Sequence, residues 1–360
     1  MRLDQLSEDG ILERIVPAMA GVAAADPRTR DALGSVLVGP GDDAAVLQLS
    51  SPRLVVTTDT LTEGQDFLPD ATRPAWIGAK AAVQNLADVI AMGARPLALV
   101  VSLSAPGGAP AEAIEEIMTA LSARAARSGA IVVGGDLGRA EALSLTVTAL
   151  GVLPDGRAPV LRSGARPGDI LAVSAGRLGR SAAGLALVLS GRRPGRCRDD
   201  REEELLAWHN APDPDLRRGL IAAENGVHAM LDLSDGPVRD GLRIARSSGV
   251  DLDLDGTAFA ADVAALSPVA RRLLDEVEAA SDGAPAGAAA GAPGGALHRA
   301  REWVLHGGEE HALLACFPAG ALPEGFRAIG RVQEPEDGDA PQVLLDGDPV
   351  PGAPFDHFSG

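Results

Sequence analysis

PAWIGAKAAVQNLADVIAMGARPLALVVSLSA, residues 74–105, reads as a helix followed directly by a strand. Over about Pro74–Met92, Trp76, Ile77, Ala81, Val83, Leu86, Val89 and Ile90 spread around a helix with an alanine-rich face. After the turn residues that follow, Leu97–Ser104 is β-branched and leucine-rich and reads as a strand. Outward from this pair, Leu54–Thr58, Ala130–Val133 and Leu143–Leu153 read as further strands, Pro110–Ser128 as a second helix and residues 3–20 as a short N-terminal helix. Strands outnumber helices, so the first domain is expected to be α+β rather than a regular βαβ winding.

Pro154-Asp155-Gly156 is a turn, and LRSGARPGD (Leu161–Asp169) is punctuated by Gly and Pro. The expected domains are therefore residues 1–153 and 154–360. In the second, Ile170–Ser174, Ala229–Leu233, Val250–Leu254, Ala312–Phe317 and Arg327–Val332 read as strands, with helices from about Ser181, through Leu216–Asn225 and after Ser234, which is placed as an N-cap. This alternation reads as an α/β domain. Residues 282–297 (DGAPAGAAAGAPGGA and the next position) are Gly/Ala/Pro-rich, cannot bury a core and read as a disordered surface insertion.

With 360 residues and 46% hydrophobic residues, the chain can bury sizeable cores. A net charge of −18 excludes an ordinary nucleic-acid binder, whose phosphate contacts need clustered Lys and Arg. No run of about 18 apolar residues offers a membrane span. MRLDQLSEDGILERI lacks the apolar core of a signal peptide, so a cytoplasmic enzyme is expected. Cys197 and Cys316 are too few for a disulfide framework or a zinc site. The only lysine is Lys80, preceded by Ala79, so neither a Walker A loop nor the protein-kinase lysine set exists. ATP chemistry here requires another architecture.

Five segments place Asp at strand ends or turns: GPGDDAAV (Gly39–Val46), TTDT (Thr57–Thr60), NLAD (Asn85–Asp88), VVGGD (Val132–Asp136) and LDLSDG (Leu231–Gly236). Each alone reads as an ordinary turn. Together they carry more. The two glycines before Asp136 permit close backbone approach to a phosphate. Asp232 and Asp235 flank a strand-to-helix junction whose N–H groups favour anions. Thr57 and Thr58 add oxygens beside Asp59. Hard cations such as Mg²⁺ take oxygen ligands and bridge carboxylates to phosphates, and carboxylates gathered without lysine repel one another unless metals intervene. The combination describes a multi-Mg²⁺ phosphoryl-transfer site.

The chain resembles thiamine-monophosphate kinases, in the superfamily of aminoimidazole ribonucleotide synthetase and selenophosphate synthetase. The resemblance rests on GPGDDAAVL, TTDTLTEGQDFLPD, KAAVQNLADVIAMGARP, VVGGD, LRSGARPGD, LDLSDG, LHGGEEHAL and the terminal FDHF, in the family's order across nearly the whole chain. It implies a two-domain α+β aminoimidazole ribonucleotide synthetase-like fold: an N-terminal mixed sheet with helices, which binds ATP and metal and forms a homodimer, and a C-terminal α/β domain. The implied metal ligands are Asp43, Thr57, Thr58, Asp59, Asp88, Asp136, Asp232 and Asp235. Gly135, Asp136, Arg162 and Ser234 would meet the nucleotide, and Asp66, Glu309 and Phe355 the acceptor. Three positions depart from the family's pattern: Asp66 stands where His is frequent, Glu310 turns GGED into GGEE, and Leu137 replaces the threonine of GGDT.

The implied reaction is direct in-line transfer from ATP to thiamine monophosphate, giving thiamine diphosphate. Mg²⁺ offsets the repulsion between the two anions, and no covalent nucleophile or general base is assigned. The competing readings are a sister enzyme that activates an amide oxygen with ATP, and a non-catalytic nucleotide- or thiamine-phosphate-binding module. Other motifs carry little. Asp251, Asp253 and Asp255 imitate a calcium loop, but Val250, Leu252 and Leu254 alternate with them as in a half-buried strand. His306 and His311 lack zinc-hydrolase spacing, the glycines from Gly176 to Gly184 fit no dinucleotide fingerprint, and Glu202–Glu204 reads as a solvated helix face.

Overall fold

A computed structural model of the chain describes residues 1–40, 44–174, 176–280, 293–336 and 340–350. The chain divides into two compact units, Met1–Pro159 and Val160–Gly360, a few residues beyond the boundary expected from the turn at Pro154.

In the first unit the elements run α1 (Glu8–Ala25), α2 (Arg30–Ser35), β1 (Val36–Val38), β2 (Val46–Leu47), β3 (Leu54–Thr62), α3 (Pro74–Ala91), β4 (Arg95–Ala105), α4 (Ala111–Ala126), β5 (Ile131–Arg139) and β6 (Ser144–Val152). The main sheet has the order β3-β6-β4-β5. Only β4 and β5 are parallel, joined by the α4 crossover; β6 lies antiparallel to both β3 and β4. Pro74 opens α3 at a position where its missing N–H costs nothing, and Ile77, Val83, Leu86, Val89 and Ile90 are buried. A Cβ on Gly78 would stand 2.0 Å from the Ile117 carbonyl oxygen, so α3 and α4 touch backbone to backbone there. The opposite face of the sheet is uncovered: Val56 is 57% exposed and pairs with Leu150, and Val100 pairs with Thr148.

β3 and β5 run past the strands expected from sequence. Asp59 and Asp136 therefore lie inside strands, not after them. The physical reason is that both strands are sheet edges, where a polar side chain keeps its water and the general exclusion of Asp from strands is weak.

The second unit runs β7 (Ile170–Val173), α5 (Arg180–Leu189), α6 (Asp200–Asn210), α7 (Arg217–Glu224), β8 (Ala229–Asp232), α8 (Pro237–Ser248), β9 (Asp251–Leu254), α9 (Ala260–Ala280), α10 (Pro293–His306), β10 (Leu313–Phe317), β11 (Arg327–Gln333), β12 (Val343–Leu345) and β13 (Asp348–Pro349). Its sheet order is β13-β12-β9-β11-β7-β10-β8, and only the β12–β9 pair is parallel. Strand–helix alternation thus builds an antiparallel sheet here, giving the two-unit α+β fold. Leu171, Val173, Leu187, Leu231, Ile244, Val304 and Leu314 lie in one apolar core on this sheet.

Four local readings change. α8 starts at Pro237 with Gly236, at φ 97°, in the cap position, because the Ser234 carbonyl is already taken by the Glu309 N–H at 2.8 Å. The expected solvated face of Glu202–Glu204 is wrong at Glu202, which is fully buried between Arg192 (3.0 Å) and Arg272 (3.4 Å). Strand β9 is buried on both faces, not half-buried. Asp251 accepts from the Gln342 N–H and Asp253 from the Gly347 N–H, both at 2.9 Å, and Asp253 also pairs with Arg331. Those bonds spend the carboxylates that imitate a calcium loop. Of the 282–297 insertion, residues 282–292 lie outside the described residues, and the stretch from Pro293 opens α10.

The contact at Gly78 sets a test. Gly78→Ala should lower stability by about 1–3 kcal/mol because two helix backbones must part. Gly21→Ala in α1, where a Cβ meets nothing within 4 Å, should raise stability by up to about 1 kcal/mol. Urea unfolding midpoints moving in the same direction for both would contradict this packing.

Candidate functional site

In the second unit, LDLSDG and HGGEEH lie side by side through their main chains. The Glu309 N–H donates to the Ser234 carbonyl at 2.8 Å and the His311 N–H to the Leu233 carbonyl at 2.9 Å. Glycines make this possible. A Cβ on Gly308 would sit 2.4 Å from the Ser234 oxygen, one on Gly307 2.2 Å from the Trp303 oxygen, and one on Gly236 2.8 Å from the Gly307 oxygen. Glu309 and His311 both hold left-handed backbone, at φ 58° and 49°, which costs an ordinary residue about 1–2 kcal/mol. Asp232, Ser234, Asp235 and Glu309 are thereby gathered at one place.

Electrostatics at that place are acidic. The Asp235 carboxylate pairs with Arg243 at 2.5 Å and with Arg239 at 3.6 Å, and Asp232 faces His311 Nδ1 at 3.3 Å. Asp240, fully buried, accepts from the Asp235 N–H at 2.8 Å and pairs with Arg243. Burial pushes its carboxyl up to about 7; the Asp235 N–H and Arg243 oppose the rise, while the charges of Asp232 and Asp235 add to it.

Glu310 turns the other way from Glu309, into the protein. It accepts from the Ser181 N–H at the start of α5 and from Trp208 Nε1 on α6, each at 2.9 Å, and faces Arg180 at 3.7 Å. Arg180 stacks over the Trp208 ring, 3.1 Å from its centroid. Burial pushes the Glu310 carboxyl above its usual range, although these three partners favour the charged form. The extra methylene of GGEE serves this bridge. Arg162 is placed next to β8 by its main chain. Its main-chain carbonyl accepts from Ser248 at the C-terminal end of α8, while the Leu161 carbonyl beside it accepts from the Met230 N–H at 3.0 Å, two residues before Asp232.

In the first unit, Thr57 Oγ1 donates to Asp88 Oδ2 at 2.8 Å, and Asp59 lies two residues on along the same face of β3. Thr58 points to the open face, where its hydroxyl meets the Val147 carbonyl at 3.1 Å and Thr148 Oγ1 at 3.2 Å. Asp136 is exposed on β5, in register with Ser102, and three strand steps, about 14 Å, separate β5 from β3. Asp59 and Asp136 therefore do not share one ligand sphere in this sheet. Gly135 is explained by packing, since its Cβ would fall 1.9 Å from the Val101 oxygen, while Gly134 opens on empty space. The Asp66 carboxylate caps its own turn, taking the Thr62 N–H at 2.7 Å, and Lys80 Nζ donates to the Asp66 carbonyl at 3.2 Å. Asp43 and Phe355 lie outside the described residues.

Among the described residues no three Asp, Glu, His or Cys side chains form a group able to hold a metal alone. The donor chemistry nonetheless fits Mg²⁺, which takes one or two protein carboxylates and completes its shell with water and substrate phosphates. Burial is the main reason the Asp240 carboxyl is raised, and the nearby Asp232 and Asp235 carboxylates add to it, so these three acids stand close together.

The sequence profile described as AIR synthase related protein, N-terminal domain, matches residues 41–153. The thiamine-monophosphate kinase of Mycobacterium tuberculosis (strain ATCC 25618 / H37Rv) is 42% identical over 346 residues, 96% of this chain and 90% of that protein. The chain belongs to the thiamine-monophosphate kinase family. Two solved structures share its fold along almost the whole length. The thiamine-monophosphate kinase from Stenotrophomonas maltophilia K279a gives a TM-score of 0.72 at 29% identity, covering 94% of this chain and 97% of that one. AaThiL complexed with AMPPCP and TMP gives 0.69 at 28% identity, covering 99% of both chains. As a thiamine-monophosphate kinase family member, the protein carries the family's acidic motifs on the elements just described. Sequence reasoning passed over Arg180, Trp208, His209, Asp240 and Arg243, which hold those motifs in place. None sits in a motif, and only their convergence in space marks them.

Both cysteines stand apart from this chemistry. Burial, then the hydrogen bond to Glu203, pushes the Cys197 thiol up to about 12, and burial pushes Cys316 higher still. Iodoacetamide at neutral pH should leave both unmodified in the native protein and label both after denaturation in guanidinium, as mass spectrometry would read directly.

Proposed function

We propose that this protein is an ATP-dependent thiamine-phosphate kinase. The terminal phosphate oxygen of thiamine monophosphate attacks the γ-phosphorus of ATP in line, giving thiamine diphosphate and ADP. The observation that carries this reading is 42% identity to a thiamine-monophosphate kinase across 96% of the chain. Support also comes from the relative that shares the fold over 99% of both chains and is complexed with AMPPCP, an ATP analogue, and TMP.

In this reading Thr57, Thr58, Asp59, Asp88, Asp136, Asp232 and Asp235, with Asp43, are the residues that would hold Mg²⁺. When bound, Mg²⁺ neutralises phosphate oxygens so that two anions can meet. The 14 Å between the strands of Asp59 and Asp136 favours more than one ion. Gly135, Asp136, Arg162 and Ser234 meet the nucleotide; Asp66, Glu309 and Phe355 meet the acceptor. The Asp66 contact goes through its main chain or its neighbours, because its carboxylate is engaged in the turn. The acceptor's phosphate monoester is already largely ionised near pH 7, so no side chain of this protein needs to remove a proton. Thr57, donating to Asp88, fixes that carboxylate's rotamer before any ligand arrives.

The same reading makes the first unit the metal- and ATP-binding domain and the site of homodimerisation. The uncovered sheet face supports this: Leu54, Val56 and Val100 are exposed apolar residues on strands whose other face packs on helices. As a consumer of ATP, the enzyme belongs in the cytoplasm. Among the described residues no helix is long and apolar enough to cross a membrane.

Three measurements test the proposal. Purified protein with ATP and Mg²⁺ should form ADP with thiamine monophosphate and not with free thiamine. ADP formed only with a different phosphorylated acceptor would assign a sister activity, and tight binding without turnover a binding module. Asp136→Asn and Asp235→Asn should each lower kcat/KM by about a hundredfold or more, with melting temperatures within about 4 °C of the parent; near-normal turnover in both would make these acids turn and ion-pair formers only. Val56→Asp should shift the molecular mass by light scattering from dimer to monomer, and an unchanged mass would move the interface elsewhere.

A further inference from the structure

The buried group nearest Glu309 has no part in the mechanism so far. His209, at the end of α6, has a side chain only 8% exposed, and its Nδ1 lies 3.2 Å from Glu309 Oε2 and 3.0 Å from Ser181 Oγ. Gly184 on α5 touches α6 so closely that a Cβ there would meet the Leu205 carbonyl oxygen at 2.2 Å and the His209 Cβ at 2.6 Å. The imidazole is thus seated by a contact between two helices. Ser181 is fixed in turn, because its N–H donates to Glu310 Oε1.

On the other side, Glu309 holds a left-handed backbone pinned by its N–H to the Ser234 carbonyl. Residues held in such costly conformations point to a functional constraint on what their side chains face. Its side chain is 35% exposed, so one carboxylate oxygen meets His209 while part of the group remains open to solvent. Nδ1 lies between Ser181 Oγ and Glu309 Oε2, and because a carboxylate accepts more strongly than a hydroxyl, a proton on Nδ1 is favoured on the Glu309 side.

We propose that His209 is a positioning residue for acceptor recognition: through Nδ1–H it fixes the orientation of the Glu309 carboxylate that receives the thiamine phosphate. The inference rests on the reading above that Glu309 meets the acceptor. It adds that the orientation is set from α6, by a residue that itself touches neither substrate. Loss of the Nδ1 donor frees the Glu309 rotamer, and acceptor binding then has to order it.

Amide substitutions separate the two ring nitrogens. In His209→Asn the side-chain N–H stands where Nδ1 does; in His209→Gln it stands nearer Nε2. The expected result is a KM for thiamine monophosphate within about threefold of the parent for Asn and raised about tenfold or more for Gln, with kcat at saturating acceptor and KM for ATP little changed in both. In a Glu309→Gln background the His209→Gln change should add little, since coupled residues are not additive. Equal KM values for the Asn and Gln variants, a KM for ATP that moves in parallel, or a full additive loss in the double variant would overturn the proposal. Glu309→Gln alone keeps the two ideas apart: if it leaves the KM for thiamine monophosphate unchanged, the assignment of Glu309 to the acceptor is what fails. Melting curves on each variant identify any that are merely unfolded, and the Asn–Gln contrast needs only polar substitutions at a polar contact.

Discussion

The second unit is organised by a contact between two main chains. Residues 307–311 lie against 233–236 closely enough that Gly308 and Gly236 leave no room for a Cβ, and two peptide hydrogen bonds lock the register. Because Glu309 is held at positive φ, successive side chains of the GGEE segment leave in different directions. One meets α6 near solvent, and the other is driven into the protein between α5 and α6. The acidic residues of LDLSDG are delivered to the same place by the same two bonds. A shift of one residue in that register would bury Glu309 and expose Glu310, so the motif's glycines matter for address more than for flexibility.

Residue patterning and turn chemistry made most of the architecture legible in advance. The helix at 74–91 was visible from its alanine-rich face, the strand at 95–105 from its run of leucine and β-branched residues, and the Gly/Pro passage at 154–169 marked the end of the first unit. The misreadings have a common source. Asp59 and Asp136 were placed beyond their strands because Asp avoids sheet interiors, but both strands are edges. Strand β9 looked half-buried because Asp alternates with Leu, and nothing local shows that the 342–347 segment covers those acids with N–H donors. Glu202 looked solvated for the same reason: its partners Arg192 and Arg272 lie ten and seventy residues away.

The candidate site was legible in its list of acids and much less in its arrangement. Eight motifs in order carried the family, yet sequence could not reveal that Thr57 fixes Asp88, that Thr58 is turned to the opposite face, or that the Arg162 carbonyl is tied to Ser248. Nor does a count of carboxylates predict which are already engaged. Asp235 shares Arg243 with Asp240, whereas Asp251 and Asp253 of β9 each take a backbone N–H from the 342–347 segment.

The chain's single lysine has a practical corollary. Lys80 is 2% exposed and its ammonium is engaged with the Asp66 carbonyl, so every other cationic side chain that meets solvent is an arginine or histidine. Acylating reagents, amine-directed crosslinkers and lysine acetyltransferases alike find no side-chain handle on the folded surface. Covalent immobilisation through surface lysines, routine for most enzymes, has no site on this one.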